Sequence, residues 1–143
     1  MIGAIIAKQK TREKFADRNR GDIDTFLDNW AEDATFIFPG QSEMSGTFHG
    51  MSEIRPWFKQ FRQQFPQVNF EIKQIFVGRI WAIGATNELA VQWNTTLWNQ
   101  DNQKMQGQGV TIVHLQKGQL VLAHEFIFDL SPSFFQANQP AAH

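Results

Sequence analysis

The second half of the chain alternates hydrophobic and polar positions in a way that predicts β-strands. Residues 110–129 read VTIVHLQKGQLVLAHEFIFD, two apolar runs on either side of Lys117-Gly118. This is the pattern of an antiparallel hairpin with a two-residue turn. Counting back from that turn one pair at a time, Thr111 lies opposite His124, on the same face of the hairpin. A histidine beside a threonine on an otherwise apolar face is the main candidate for chemistry.

The first half of the chain has helical spacing instead. A mostly exposed helix is predicted from Lys8 to Arg20, with its charged residues in solvent, and Gly21 is suited to end it. Asp22 can cap a second helix that runs as far as Trp30. A third helix begins near Ser52, and Pro66 ends it. This third helix carries one apolar stripe, made of residues 54, 57, 58, 61 and 65.

The remaining segments are predicted as strands. A short strand covers 34–38 and an edge segment 46–50, and longer strands follow at 70–76, 89–98 and 105–115. Residues 86–88 are expected to form a turn, and Gly78 and Gly84 to form bulges or bends. Helices followed by antiparallel strands predict an α+β fold, in which a curved antiparallel or mixed sheet wraps around about three N-terminal helices in a cone. The cone is either filled by its own side chains or partly open as a pocket.

Composition excludes several classes of function. The 143 residues carry 13 basic and 14 acidic side chains in no cluster, which argues against nucleic acid or an anionic membrane as partner. There is no cysteine, which fits a cytoplasmic location, and no run long enough for a membrane span. No spacing suggests a metal site and no Gly-rich loop suggests a nucleotide, so no cofactor is expected. A single domain over residues 1–143 is expected, with a core at 8–130 and a loose tail at 131–143.

Several motifs resemble one known family. The run GDIDTFLDNWAEDATFIFPG, then Gly46, Gly50 and Ile54 leading into a Trp-Phe helix, is similar to the SnoaL-like branch of the NTF2-like superfamily. The closing hairpin, which ends in Ile-Phe-Asp at 127–129, is similar too. The resemblance covers about residues 8–130. It implies the cone-shaped fold, usually as a dimer, and activities that range from isomerases, cyclases, dehydratases and epoxide hydrolases to binding or transport without catalysis.

The catalytic positions of individual family members carry over unevenly. The carboxylate base, phenolic donor and protonated acid of ketosteroid isomerases fall at Phe38, near Lys14 and near Thr111, so all three groups are absent. The Arg-x-Asp pair of limonene-epoxide hydrolases corresponds to Gln92-x-Asn94. Their second aspartate falls at Phe126, or at Glu125 if a bulge intervenes. An acid or base of the SnoaL cyclase kind falls nearest His124.

Strand alternation, combined with the resemblance, predicts which side chains face the pocket. His124 is the expected acid or base and Asn94 the group that orients the ligand; the alternative is a neutral core histidine bonded to Thr111. Glu125 and His114 are expected on the opposite face or its rim. The expected ligand-binding set is Trp30, Phe38, Trp57, Phe58, Phe61, Gln92, Thr96, Trp98, Thr111 and Phe126.

The opposite face of the sheet is also apolar in this prediction. It comprises Val91, Trp93, Leu97, Val110, Ile112, Val121 and Ala123. A sheet with two apolar faces needs a second cover, so a homodimer packed sheet to sheet is expected. The predicted function is binding of a small apolar cyclic or aromatic molecule, with cofactor-independent proton-transfer chemistry of the isomerase, cyclase or dehydratase type. The alternative is a non-catalytic ligand-binding or dimerisation module.

Overall fold

The computed structural model describes residues 2–79 and 86–130. Its first two helices are joined by a short connection at Gly21 and Asp22. α1 spans Ile2–Arg20 and ends at Gly21, whose φ of +79° suits a residue without a side chain. The Asp22 carboxylate then accepts from the Thr25 amide at 3.3 Å and caps α2, Ile23–Phe26. The prediction that this second helix continues to Trp30 is wrong, because Trp30 opens the first strand and pairs with Leu120.

α3 spans Met51–Gln64 and buries the predicted aromatic stripe. Its Trp57 ring lies 4.6 Å from that of Phe36 and 4.9 Å from that of Phe38, both on the first strand. The Trp57 indole N–H is also satisfied, because it donates to the Met44 carbonyl at 2.8 Å. This end of the molecule is therefore packed solid by aromatic rings.

Six strands form one sheet in the order β2-β1-β6-β5-β4-β3. Their bounds are β1 Trp30–Phe38, β2 Gly46–His49, β3 Gln67–Arg79, β4 Thr86–Trp98, β5 Lys104–Gln116 and β6 Gln119–Leu130. Among the strands of the described residues, β1 and β6 pair in parallel, and every other neighbouring pair is antiparallel. The predicted fold class, a curved α+β sheet with helices on its inner side, is confirmed.

One predicted boundary between strands is wrong and one predicted irregularity is confirmed. The expected turn at 86–88 is wrong, because β4 begins at Thr86 and these residues pair with β5. The β3–β4 register shifts at Gly78, which confirms the predicted irregularity there. The expectations for Gly84 and for the tail at 131–143 lie outside the described residues.

The β5–β6 hairpin has the predicted turn but not the predicted register. Lys117 and Gly118 both have positive φ, 52° and 79°, and Gln116 pairs with Gln119. Leu115 then pairs with Leu120 as expected, but His114 pairs with Leu122. Val121 is therefore an extra residue on β6, a β-bulge. From Leu122 to Ile127 the pairing is moved by one residue, so Thr111 lies opposite Glu125 and not opposite His124, and a second shift follows between Gly109 and Gln108.

β4 also presents the other face from the one predicted. Val91 pairs with Thr111 and Trp93 pairs with Gly109, so odd-numbered residues of β4 and β5 share a face. That face is the inner one, where the Trp93 indole N–H donates to the Thr111 hydroxyl at 2.9 Å. Gly109 leaves no open volume there, because an added Cβ would lie 2.6 Å from the Trp93 ring and 2.3 Å from the Phe126 carbonyl.

Candidate functional site

A cavity of about 850 Å³ lies between the first helix and the inner face of the sheet. One wall is α1, from Gly3 to Arg18, and the facing wall is the β4–β5–β6 part of the sheet. Four aromatic residues from other elements complete the lining. They are Phe26, Trp30, Phe36 and Phe58. The lining is mainly apolar, and its few polar side chains are therefore the groups that could fix the orientation of a ligand.

The innermost polar feature of this wall is an ion pair between Arg18 and Glu125. The Arg18 Nη1 donates to the Glu125 Oε1 at 2.9 Å, and the two side chains are only 4% and 3% exposed. α1 places Arg18 on the same helical face as Phe15 and Thr11, which points at the sheet. The bulge at Val121 turns Glu125 to the same side. A buried pair of this kind carries a large desolvation cost, so it contributes little net stability.

Three aromatic rings lie close to the Arg18 guanidinium. Its central carbon lies 4.1 Å from the centre of the Phe70 ring, 5.4 Å from that of Phe58 and 5.7 Å from that of Phe26. These rings fix the planar group and compensate part of its lost hydration. Even so, the Arg18 Nη2 is buried and has no hydrogen-bond partner in the described part of the chain. It is a charged donor without an acceptor.

Unused hydrogen-bonding capacity is also found on Thr111, beside the pair, and on Glu125 itself. The Thr111 hydroxyl accepts from Trp93, and within the described residues it donates to no acceptor. The second oxygen of Glu125 likewise makes no hydrogen bond within residues 2–79 and 86–130. A ligand oxygen could therefore receive hydrogen bonds from Arg18 and Thr111, while the free carboxylate oxygen of Glu125 receives a proton.

Charged residues of the lining are mostly basic. Lys14 forms an ion pair with Asp28 and donates to the Thr25 carbonyl at 2.7 Å. Lys10 and Lys117 also line the cavity, and neither has an ion-pair partner among the described residues. Burial, and then the positive charge of Arg18, lower the pKa of the Arg62 guanidinium, which does not line the cavity.

The predicted ligand-binding residues fall into three groups in the structure. Trp30, Phe58 and Thr111 line the cavity. Phe38, Trp57 and Phe61 are buried in the aromatic cluster but do not line it. The other predicted residues point to the opposite side of the sheet. They are Gln92, Thr96, Trp98 and Phe126. Ligand binding by the first group stays a prediction.

The expectation that His124 and Asn94 face the concavity is wrong. His124 pairs with Ile112 on the outer face, where its ring lies 4.1 Å from the Phe126 ring. Asn94 pairs with Gln108 on the same outer face. His124 is on the outer face because the extra residue Val121 reverses the alternation of β6 beyond it. Asn94 is on the outer face because the inward-facing residues of β4 are the odd-numbered ones. Val91, Trp93, Leu97 and Ala123, expected outside, are accordingly buried inside.

Sequence reasoning missed Arg18 and placed Glu125 on the wrong face. Arg18 was expected in solvent, yet it lies three residues after the buried Phe15, on the helix face that Phe15 marks as internal. For Glu125 the one indication in the sequence was the second aspartate of the epoxide hydrolases, which falls at Glu125 only if a bulge intervenes. The structure has a bulge in β6, at Val121, and Glu125 lies in the wall of the cavity.

Comparison with known structures agrees with this fold. Bal32a, from a soil-derived mobile gene cassette, superimposes with a TM-score of 0.71 at 15% identity, over 85% of this chain and 88% of that one. A proposed aromatic ring hydroxylase from Novosphingobium aromaticivorans superimposes with a TM-score of 0.75 at 18% identity, over 92% and 94%. TerC, co-crystallised with polyporic acid, gives 0.67 at 14% identity, over 89% and 90%. At these identities the similarity shows the fold alone.

The fold is that of NTF2-like proteins, several of which are among the structures it matches. A family model described as the SnoaL-like domain matches residues 12–123, and the chain belongs to this family. The predicted family is thus confirmed. The comparison with curated protein sequences gives no match.

Residues 2–79 and 86–130 contain no helix that could span a membrane. Within the same residues, no group of three or more histidine, aspartate or glutamate side chains is placed to hold a metal ion.

Proposed function

We propose that this SnoaL-like protein binds a small, largely apolar cyclic or aromatic molecule in the cavity, and that Glu125 exchanges a proton with it. One observation carries the proposal: a buried Arg–Glu pair with an unused donor and an unused carboxylate oxygen lies in the wall of an apolar cavity of about 850 Å³. TerC, which has a similar fold, was co-crystallised with polyporic acid, and this supports a small organic ligand here.

The groups present suit an enolisation. A ligand carbonyl oxygen would accept from the Arg18 Nη2 and the Thr111 hydroxyl. Glu125 would remove a proton from the adjacent carbon, and the electron pair of that C–H bond would move onto the carbonyl oxygen. Where a C=C bond of the ligand is conjugated with the enolate, return of the proton to the far carbon of that system shifts the double bond and gives an isomer, and no oxidant or cofactor is consumed. This keeps the predicted proton-transfer chemistry and transfers the role of base from His124 to Glu125.

Occupancy of the cavity is tested with the neutral fluorescent probe N-phenyl-1-naphthylamine. Ala123 lines the cavity and Ala90 lies on the outer face of β4, which makes them a matched pair. We expect Ala123→Phe to weaken probe binding roughly tenfold or more, because the phenyl ring occupies ligand volume. Ala90→Phe should leave binding unchanged. Equal affinities in wild type and both variants would contradict the proposed site.

Proton transfer is tested by isotope exchange. The protein is incubated in D₂O with an apolar metabolite extract. The bound molecule is then recovered, and its mass is measured by mass spectrometry. Wild type and His124→Gln should return a deuterated molecule, and Glu125→Gln an undeuterated one, because an amide cannot act as the base. Exchange that survives Glu125→Gln, or that His124→Gln abolishes, would contradict the assignment of the base.

A binding protein without catalysis is the second candidate. Arg18 already occupies one oxygen of Glu125, and the described lining contains no other carboxylate and no histidine. A single paired acid suits recognition as well as proton transfer. In this case the recovered molecule carries no deuterium in any variant.

The proposal also includes a homodimer in the cytoplasm. The outer sheet face exposes Phe76 and Phe126, which are 55% and 38% exposed, and three partly buried aliphatic residues lie on the same face. They are Val110, Ile112 and Leu122. A second copy of the same face would cover this apolar surface symmetrically. The absence of cysteine from the sequence supports a reducing compartment.

A further inference from the structure

We infer that the cavity selects anionic ligands, which are apolar molecules that carry one acidic oxygen group such as a carboxylate, sulfonate or enolate. The inference deepens the proposed function and rests on it. Four basic side chains line the cavity against one acidic side chain, Glu125. The basic residues are Lys10, Lys14, Arg18 and Lys117.

The excess of positive charge remains after the ion pairs are taken into account. Asp28 compensates Lys14 and Glu125 compensates Arg18. Lys10, on α1, and Lys117, in the β5–β6 turn, are exposed and have no acidic partner within the described ranges. Two uncompensated ammonium groups therefore approach the cavity from two different elements. An anionic group of a bound ligand would be attracted to both.

The conformation of Lys117 is an independent observation. Its φ is +52°, and with Gly118 it forms a turn whose two central residues both have positive φ. Asparagine, aspartate and glycine are favoured at such positions, and a lysine there is strained by roughly 1 kcal/mol. Strained residues cluster at ligand sites, where the side chain itself is needed. A lysine that also lines the cavity fits that description.

The interior of the cavity favours the same class of ligand. The buried Arg18 Nη2 and the Thr111 hydroxyl are both donors that need an acceptor. The Asn87 Oδ1 is a buried acceptor without a partner, but the amide of the same side chain also supplies donors. Donors without a partner and uncompensated cations together suit a ligand rich in acceptor oxygens.

Two probes with nearly the same aromatic body test the inference. They are N-phenyl-1-naphthylamine, which is neutral, and 8-anilinonaphthalene-1-sulfonate, which is anionic. We expect the anion to bind about tenfold more tightly at low salt, since two partly solvated ammonium groups contribute. This preference should fall as the ionic strength rises from roughly 0.02 to 0.5 M. Ala123→Phe should weaken binding of both probes, which shows that both use the cavity.

Charge variants assign the preference to the two lysines. Lys10→Gln and Lys117→Asn together should abolish the preference for the anion, because they lower the affinity for the anionic probe much more than the affinity for the neutral probe. Lys117→Asn should also raise the melting temperature, because asparagine tolerates positive φ, so weaker binding cannot come from unfolding. Lys104→Gln, at an exposed lysine that does not line the cavity, is the matched control and should change neither probe.

The outcomes separate this inference from the proposed function. If neither probe binds, the proposed ligand site itself fails. If both bind with equal affinity, or if the lysine variants weaken both equally, the site stands and anion selectivity is overturned. If Lys104→Gln removes the preference for the anion, the assignment of that preference to Lys10 and Lys117 is overturned.

Discussion

At the scale of single residues, the Arg18–Glu125 pair is the feature that needs explanation. It is almost fully buried, and stability alone does not explain it, because the desolvation of two charges offsets their attraction. A pair of apolar residues would fill the same space at lower cost. The unused donor on Arg18 and the unused oxygen on Glu125 are the features on which the proposed ligand site rests.

A double-mutant cycle tests this view of the pair. Arg18→Met alone should lower the free energy of unfolding by about 3–5 kcal/mol, because Glu125 is left as a buried, unpaired charge. Arg18→Met with Glu125→Leu should recover most of this loss, since no buried charge remains. Urea denaturation measures both. A double variant as unstable as the single one would show that the pair itself stabilises the fold.

At the scale of elements, most strands and helices were predicted correctly, and the inner faces of two strands, β4 and β6, were predicted wrongly. The stripe of α3 and the Lys117-Gly118 turn follow from spacing and turn chemistry, and both are confirmed. The bulge at Val121 could not be foreseen, because both faces of β6 are partly apolar and the pattern fixes no register.

The face of β4 could have been predicted from the sequence. Its odd-numbered residues, Leu89, Val91, Trp93, Thr95 and Leu97, are more apolar than Gln92, Asn94 and Thr96, and they are the buried set. Amide positions carried over from epoxide hydrolases outweighed this hydrophobic alternation in the prediction. For a strand in contact with a core, alternation is the stronger guide.

The corner between α1 and α2 gives a prediction with a defined pH dependence. Thr25, first through its side chain and then through its backbone N–H, lowers the pKa of Asp22 below the ordinary 3.8. A lowered pKa means that the charged carboxylate stabilises the folded state above the ordinary value, and that this contribution is lost as the pH falls through the lowered pKa. Asp22→Ala should therefore lower the melting temperature at neutral pH.

The matched control at this corner is Asp22→Asn, which keeps a capping oxygen and should retain most of the stability. The difference in melting temperature between wild type and Asp22→Ala should shrink as the pH falls below 3.8. A difference that is independent of pH would show that the charge of Asp22 plays no part in the cap.

At the scale of the whole molecule, the sheet separates two apolar surfaces. The inner one encloses the cavity, and the outer one carries Phe76, Ile112 and Phe126. His124 belongs to this outer surface, where it stacks near Phe126. If the outer surface is the dimer interface, residues expected to perform chemistry instead help to hold two copies together.

Light scattering after size-exclusion chromatography tests the dimer. We expect wild type to have twice the mass of one chain and Phe126→Arg to have the mass of a monomer, because a buried, unpaired charge opposes association. Ile5→Arg makes the same change at an exposed apolar residue of α1, away from the sheet, and should leave the mass unchanged. A wild-type monomer would exclude this interface at the concentration used.

Both proposals depend on the direction in which β6 turns the side chain of residue 125. Nuclear Overhauser contacts between the backbone protons of β5 and β6 measure that direction directly. The structure predicts cross-strand contacts of Thr111 with Glu125 and of Val113 with Ala123. Contacts of Thr111 with His124 and of Val113 with Leu122 would contradict it, because they would put the imidazole inside and remove the acid from the cavity.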